Sequence, residues 1–195
     1  MDKVTAEDNR LLDRAVASGT IIGYGDDHNL IHQPEGYTHD NWWMATSMAG
    51  LLNVLDQFLK SGSSTSAALT SATKHEDGID VSRFYNWKPG AYKDVYTYGS
   101  IYKLKADAPD DAVEMLSKTT LVPLLEKLLA DGSILEYDID TQAIHTQAPG
   151  SFYIFVTAAN AEGLDKFRAA RQRSRQGQPA LQSGFRLRNG LHRPP

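Results

Sequence analysis

Residues 19–46 read GTIIGYGDDHNLIHQPEGYTHDNWWMAT, and this stretch decides the fold. A run rich in branched residues at 20–24 is followed by a Pro/Gly turn at 33–38 and a second strand-like run at 39–46, which is typical of a β-hairpin. The stretch holds three of the six histidines and two of the three tryptophans of the chain. It therefore predicts both a hairpin and the region where polar chemistry is concentrated.

The chain contains an internal repeat. A shift of 113 residues aligns 11–54 with 124–167 without a gap, and 12 of the 44 aligned pairs are identical. One constant offset through helix, turn and strand indicates a tandem duplication. In each copy a helical segment ends at a glycine (Gly19 and Gly132), a hairpin follows, and an amphipathic helix closes the copy.

Two further strand-like segments flank these copies. Residues 95–107 lead the second copy, and residues 78–86 are a candidate trailing strand of the first. A complete unit then reads β-α-β-β-α-β, the ferredoxin-like arrangement. The sequence predicts an α+β fold of two such repeats, with the first strand of repeat 1 and the last strand of repeat 2 missing. The predicted division is repeat 1 at 1–90, repeat 2 at 91–170 and an atypical basic tail at 171–195.

Composition and charge exclude several classes of protein. No apolar run approaches the roughly 18 residues of a membrane span, and the first 19 residues lack the basic and apolar segments of a signal peptide. We therefore expect a cytoplasmic protein without a membrane partner. The absence of cysteine excludes disulfides, thiolate nucleophiles and Cys-ligated metals. All 24 acidic residues lie within residues 1–165 beside 12 basic ones, which argues against nucleic acid as a partner of the folded part.

The basic tail has two interpretations. Residues 166–195 hold eight basic residues and no acid, without strand alternation or an apolar helical face. Codon degeneracy allows the neighbouring frame of 177–195 to encode a peptide with the Thr-x-His-x-Asp pattern of residues 73–77, so we interpret the end of the chain as a frameshift product. The other interpretation is a native basic tail that binds acidic partners. The nucleotide sequence near codon 171 distinguishes the two.

The motifs of the chain resemble those of one protein superfamily. They are GYGDDHNLIH (23–32) with GYTHDNW (36–42), SRFYNWKPGAYK (82–93) and LVPLLEKLLADGSILEYDIDTQAIH (121–145). Together with the tandem units they resemble the dimeric α/β-barrel superfamily, which includes antibiotic-biosynthesis monooxygenases and EthD-like proteins, and within it bacterial members of unassigned activity. The resemblance covers about residues 8–167. It implies a barrel in which one sheet face packs on helices and the other lines a cavity, but no catalytic residue carries over by motif.

Side-chain alternation sorts the first hairpin by face. If His32 lies opposite His39, one face presents Tyr24, Asp26, His28, Leu30, His32, His39, Asn41, Trp43 and Ala45. Five of these positions differ in character from the second copy: Asp26, His28, His39, Asn41 and Trp43 replace Ile139, Thr141, Phe152, Ile154 and Val156. Four of the changes introduce polar groups, whose unpaired burial costs about 1–3 kcal/mol each. We therefore expect them either to be solvated or to line a small-molecule pocket.

Candidate roles follow from this face. The catalytic candidates are His28 and His39 as proton acceptors, with Asp26 orienting them. The substrate-binding candidates are Tyr24, His32, Asn41 and Trp43. One alternative is a metal site formed by His28, His32 and His39. Another, by analogy with the monooxygenases, is oxygenation without a cofactor.

Non-catalytic interpretations stay open as well. His32 and its counterpart His145 occur in both copies, which favours a structural role. Nucleotide-binding and nucleophile-elbow patterns are absent, so no cofactor is expected. The duplicated sheets could instead serve assembly, and a homodimer is the expected protein partner. Trp42 aligns with Phe155 and is predicted to lie in the core.

Overall fold

Antiparallel sheets and α-helices make up the protein, which places it in the α+β class. The computed structural model describes residues 2–30, 38–61, 72–143 and 151–176. The chain divides into two compact units, Met1–Glu76 and Asp77–Pro195. Within the described ranges, no helix combines the length and the apolar character that crossing a membrane requires.

The first unit is a two-stranded sheet with two helices. Its elements are α1 (Asp2–Ala17), β1 (Gly23–His28), β2 (His39–Met44) and α2 (Met48–Ser61). The core is small: Leu11, Leu12, Ala15, Ile21 and Val54 are its buried members. The hairpin predicted at 19–46 is therefore confirmed as two paired strands, while its predicted turn at 33–38 falls mostly outside the described residues.

The second unit is built on a four-stranded antiparallel sheet. Its elements are β3 (Asp80–Trp87), β4 (Tyr96–Lys103), α3 (Ala112–Leu116), a π-helical turn (Ser117–Leu121), α4 (Val122–Ala130), β5 (Glu136–Gln142), β6 (Ser151–Ala158) and α5 (Ala161–Gln176). The strand order is β3-β5-β6-β4. Thirteen buried residues form its core, among them Leu125, Ile139, Phe152 and Phe167, so the helices pack on the face of Ile139 and Phe152.

Strand β3 pairs with β5 of the second unit. The sequence assigned this segment to the first repeat as its trailing strand, whereas the boundary between the compact units precedes it, at residues 76 and 77. Strand β4, predicted as the leading strand of the second copy, forms and pairs with β6. Helix α5 runs to Gln176 and so includes the first six residues of the predicted tail; residues 177–195 lie outside the described part of the chain.

The two units repeat the same local structure at positions 113 residues apart. Gly19 and Gly132 end their helices with φ of 73° and 78°, the left-handed conformation that glycine adopts without strain. Each following residue donates to the helix at the same distance: Thr20 N–H to Ala15 C=O and Ser133 N–H to Leu128 C=O, both 2.9 Å. The tyrosines hold the helices alike: Tyr24 Oη donates to Asp13 (2.7 Å) and Tyr137 Oη to Glu126 (2.6 Å).

Candidate functional site

The first hairpin has a different register from the one assumed from sequence. His39 lies opposite His28, so the assumed pairing of His39 with His32 is wrong. Trp43 lies opposite Tyr24, and Asn41 opposite Asp26. Because the difference of four residues is even, it changes the partners and leaves each side chain on its predicted face. His32 lies outside the described residues.

This face divides into a covered end and an open end. At the covered end Tyr24 bonds to α1, while the Trp43 indole packs on Phe58 with ring centroids 5.5 Å apart and donates to the Leu51 carbonyl (3.3 Å). At the open end Asp26, His28, His39 and Asn41 are all exposed. The structure therefore gives Tyr24 and Trp43 helix-packing contacts and places the four polar candidates together in solvent contact.

The sequences of the two units differ in a way that matches this exposure. In the second unit the corresponding hairpin positions include the buried Ile139, Phe152 and Ile154. Leu116, Leu121 and Val122 pack against that same core. At the matching positions α1 carries Lys3, Asp8 and Asn9. Polar residues have thus replaced apolar ones on both helix and hairpin, which favours the interpretation of a solvated surface at this end.

The two described histidines of the hairpin do contact each other. The His28 and His39 rings lie edge to face with centroids 4.3 Å apart, and His39 Nδ1 is 2.9 Å from the Thr38 hydroxyl. Within the described residues, no hydrogen bond joins Asp26 to either ring. No group of three or more His, Asp or Glu side chains in those same ranges is placed to hold a metal ion. The proposed three-histidine site needs His32 and stays a hypothesis.

The opposite face of the first hairpin carries a tryptophan laid over a glycine. The Trp42 indole occupies the space next to Gly25, where a Cβ would lie 2.5 Å from Nε1, and it donates to Asp27 Oδ2 (3.3 Å). Trp42 is half-buried on this face and is not part of the core, contrary to the prediction. The pKa of Asp40 is raised by burial and by the neighbouring charges of Asp27 and Asp26.

The matching face of the second unit is the most distinctive surface in the described chain. It lies on the side of the sheet away from the core, where strand pairing brings together acids from the centre of the sheet and aromatic rings from both neighbouring strands. We call it the acid–aromatic face, and it comprises Ser82, Tyr85, Trp87, Glu136, Asp138, Asp140, Tyr153 and Phe155.

Two adjacent carboxyl groups lie at the centre of this face. Asp140 is only 6% exposed, and its Oδ1, like that of Asp138, is buried without a hydrogen-bond partner among the described residues. Ser82 Oγ donates to Asp138 Oδ2 at 3.0 Å. No lysine or arginine in the described ranges forms an ion pair with either carboxyl. A buried acid pair without a cation is costly to keep and is characteristic of functional sites.

The pair retains a proton at neutral pH. Burial, a hydrogen bond to Asp140 and the charge of Asp140 raise the pKa of Asp138 to about 9, and the charge of Glu136 adds to this. Burial also raises the pKa of Asp140, while hydrogen bonds from Asp138 and Ser82 oppose that shift. Like-charged neighbours cannot both ionise cheaply, so one carboxyl is the proton donor and the other the acceptor.

A β-bulge in β3 aims side chains at this pair. The pairing of β3 with β5 shifts between Ser82 and Phe84, with Arg83 as the additional residue. In regular alternation Ser82 and Tyr85 would point to opposite faces; the bulge places both on the acid–aromatic face, opposite Asp140 and Asp138. Bulges of this kind re-aim side chains and are frequent next to functional sites.

Aromatic rings flank the pair on both sides. Tyr85 and Trp87 stack with centroids 5.5 Å apart and an angle of 13°, and Tyr153 and Phe155 stack at 6.3 Å and 10°. Tyr153 is buried, and the Phe155 ring lies 3.1 Å from where a Cβ on Gly99 would be. Apolar walls around a few polar groups are what a small-molecule site requires.

Sequence reasoning missed this site, although a signal was present. In EYDIDT (136–141) the acids alternate with Tyr137, Ile139 and Thr141, so two aspartates share one face of a strand whose other face is apolar. The comparison of the two copies considered only the face of Tyr24 and Tyr137, whereas Asp138 and Asp140 lie on the opposite face. Comparisons with models of known protein families, with curated proteins and with solved structures found no match.

Proposed function

We propose that this protein is a tandem-repeat member of the dimeric α/β-barrel superfamily that binds a small molecule on the acid–aromatic face. The equal hairpin registers and the matching turns and tyrosine–carboxylate bonds of the two units support the duplication. Strand β3, contributed by the chain that follows the first copy, lies beside β5 of the second. That pairing is compatible with strand exchange between two ferredoxin-like repeats.

A single observation carries the proposed site: the adjacent carboxyls of Asp138 and Asp140 each bury an Oδ1 atom that no hydroxyl, amide or cationic group of the described residues reaches. In this site Asp138 donates a proton, Asp140 accepts one, and the flanking rings hold the apolar part of the ligand. Acid and base of this kind are sufficient for proton transfer without a cofactor. The ring contact of His28 and His39 keeps the first hairpin as the competing location.

A fragment screen distinguishes the two locations. Soluble aromatic fragments of positive, neutral and negative charge are tested for binding by ligand-observed NMR, with wild-type protein and with Asp140→Asn. Fragments that bind the acid–aromatic face lose their signal in Asp140→Asn and keep it in the His28→Ala, His39→Ala double variant. If the hits instead survive Asp140→Asn and disappear in the histidine variant, the proposed location is wrong. The purified protein is also analysed for bound metal.

Self-association is a second candidate function, and the exposed apolar side of α2 favours it. Met48, Leu52, Leu55 and Leu59 are exposed along one side of α2. The matching positions of α5 are Ala161, Asp165, Arg168 and Gln172, so the apolar side is specific to the first unit. A second copy of the chain is the proposed occupant. Sedimentation should show a dimer for wild type and a monomer for Leu52→Asp; an unchanged mass contradicts assembly through α2.

A further inference from the structure

We propose that the ligand of the acid–aromatic face is an organic monocation, a protonated amine or amidine on an aromatic or other apolar body, whose N–H groups bridge Asp138 and Asp140. This inference rests on the proposed function, because it names the ligand class of the same face.

The hydrogen-bonding needs of the face favour a ligand that donates. The two Oδ1 atoms, of Asp138 and Asp140, are buried without a hydroxyl, amide or cationic partner in the described residues. An ionised carboxylate only accepts, so the ligand must supply N–H or O–H donors. Glu136 places a further acid on the same face, one position along the strand from Asp138 on that side. The carboxyls of Asp138 and Asp140 would repel an anion, whereas a cationic donor gains a charge-assisted bond.

The two carboxyls also bear on the charge of the ligand. Adjacent carboxyls share one proton more cheaply than they both ionise, so the pair presents one negative charge with that proton and two without it. A monocation with several N–H donors bridges both carboxylates and replaces the proton between them. A divalent metal ion is the poorer fit, because calcium takes six to eight oxygen ligands, and no three acidic or histidine side chains of the described residues are placed to hold a metal ion together.

The aromatic neighbours fit the same ligand class. Cations are attracted to the faces of Trp, Tyr and Phe within about 6 Å of the ring centre. The stacked pairs Tyr85–Trp87 and Tyr153–Phe155 lie on the strands on either side of the carboxyls. An ammonium group at the pair therefore has rings on both sides, and its apolar body can lie along them.

The experiment uses three probes of nearly equal shape: benzylammonium, benzyl alcohol and benzoate. Binding to the full-length protein is measured by isothermal titration calorimetry between pH 6 and pH 8, in two buffers that differ in ionisation enthalpy, so that released protons are counted. Shifts of amide NMR signals locate the binding. We expect benzylammonium to bind, to release close to one proton, and to gain up to about tenfold in affinity per pH unit.

Variants test whether Asp138 and Asp140 cause the proton release and the pH dependence of benzylammonium binding. Asp138→Asn and Asp140→Asn should each remove the proton release and weaken benzylammonium at least tenfold; both should fold, since each removes a buried ionisable group. Asp27→Asn, at the position of the first unit that matches Asp140, is the control and should bind as wild type. Amide NMR spectra verify folding of all three.

The other outcomes separate the two proposals. If benzyl alcohol or benzoate binds β3, β5 and β6 at least as well as benzylammonium, or if no proton is released, the cation inference is wrong and the proposed function stands. If none of the three probes shifts signals from these strands at millimolar concentration, both are overturned.

Discussion

The hairpin β1–β2 of the first unit and the hairpin β5–β6 of the second pair their strands in the same register, yet their environments differ. Tyr24 faces Trp43 as Tyr137 faces Val156, and each tyrosine bonds to the preceding helix. In the second unit two further strands flank the hairpin, and apolar residues of the helical segment 112–130 pack in one core with it. The difference shows that one backbone unit tolerates opposite surface chemistry when helix and hairpin change together.

The largest expected effect comes from truncating matched positions of the two hairpins. Phe152 is fully buried, and Phe152→Ala should lower the free energy of unfolding by about 3–5 kcal/mol through lost burial and a cavity. His39 is the exposed counterpart of Phe152, and His39→Ala should lower the free energy of unfolding by less than about 0.5 kcal/mol. Hydrogen exchange in urea, measured on peptides from each unit, gives both values. If His39→Ala lowered the free energy of unfolding by more than about 1.5 kcal/mol, the open end of the hairpin would not be solvated.

The next effect concerns how closely α2 and α5, the second helices of the two copies, pack on the turns at Thr20 and Ser133. A Cβ on Gly163 would lie 2.2 Å from the Ser133 carbonyl oxygen, and one on Gly50 would lie 2.6 Å from that of Thr20. Overpacking of this kind costs about 1–3 kcal/mol, so Gly163→Ala and Gly50→Ala should both destabilise, the former more. Thermal unfolding measures the two, with Gly78→Ala as control, because nothing lies within 4 Å of its Cβ position. Equal stability of all three variants would refute the close packing.

The carboxyl pair predicts a pH dependence that belongs to the second unit. The folded pKa of Asp138 is raised far above the value of about 4 in an unfolded chain, so the folded state holds an additional proton between these values. The free energy of unfolding should therefore fall as pH rises from about 4 towards 9, the reverse of the usual carboxylate behaviour.

Asp138→Asn removes this dependence. At pH 8 it should raise the free energy of unfolding by about 1–2 kcal/mol, because the amide needs no ionisation in a buried position. Urea unfolding at pH 5, 6.5 and 8 measures the slope, with Asp27→Asn as control. A variant that is less stable than wild type at pH 8, with the same slope, would mean that the pair is not protonated.

The smallest expected effect is the difference in stability contributed by the two tyrosine–carboxylate hydrogen bonds. Tyr137 is 2% exposed and shares Glu126 with the Asn86 amide, so Tyr137→Phe should cost about 1–2 kcal/mol. Tyr24→Phe should cost about 0.5 kcal/mol, since its bond to Asp13 is exposed. Differential scanning calorimetry measures both variants. If Tyr24→Phe is the more damaging change, the covered end of the first hairpin is more tightly packed than its exposure indicates. Tyr24 itself should ionise late, because burial and the bond to Asp13 raise its pKa to about 12.

Periodicity predicted the elements because they are local. The four helical segments, both hairpins and the flanking strands 78–86 and 95–107 all formed near their predicted positions. Alternation also predicted which residues of the first hairpin share a face. Alternation could not predict the strand register, because pairing His39 with His28 or with His32 satisfies the same alternation. Only long-range packing decides between the two registers.

The candidate site needed information that alternation lacks. Counting differences on one face of the hairpins selected His28 and His39, which lie in solvent contact, and left out the face that carries Asp138 and Asp140. What makes the aspartates unusual is that no described cation, hydroxyl or amide reaches their buried Oδ1 atoms, which depends on the residues that β3 and β6 bring beside them. No single-chain pattern contains that information.

By itself the sequence determined the α+β class, the helix–glycine–strand order of each unit and the 113-residue correspondence, because glycine conformation and side-chain alternation act over a few residues. Only the tertiary structure decided which strands became neighbours, and hence that β3 joins β5 and that a bulge at Arg83 turns Ser82 and Tyr85 towards two buried acids. Charge, burial and hydrogen-bond satisfaction depend on such contacts between distant segments, so the chemistry of the site emerges at that level.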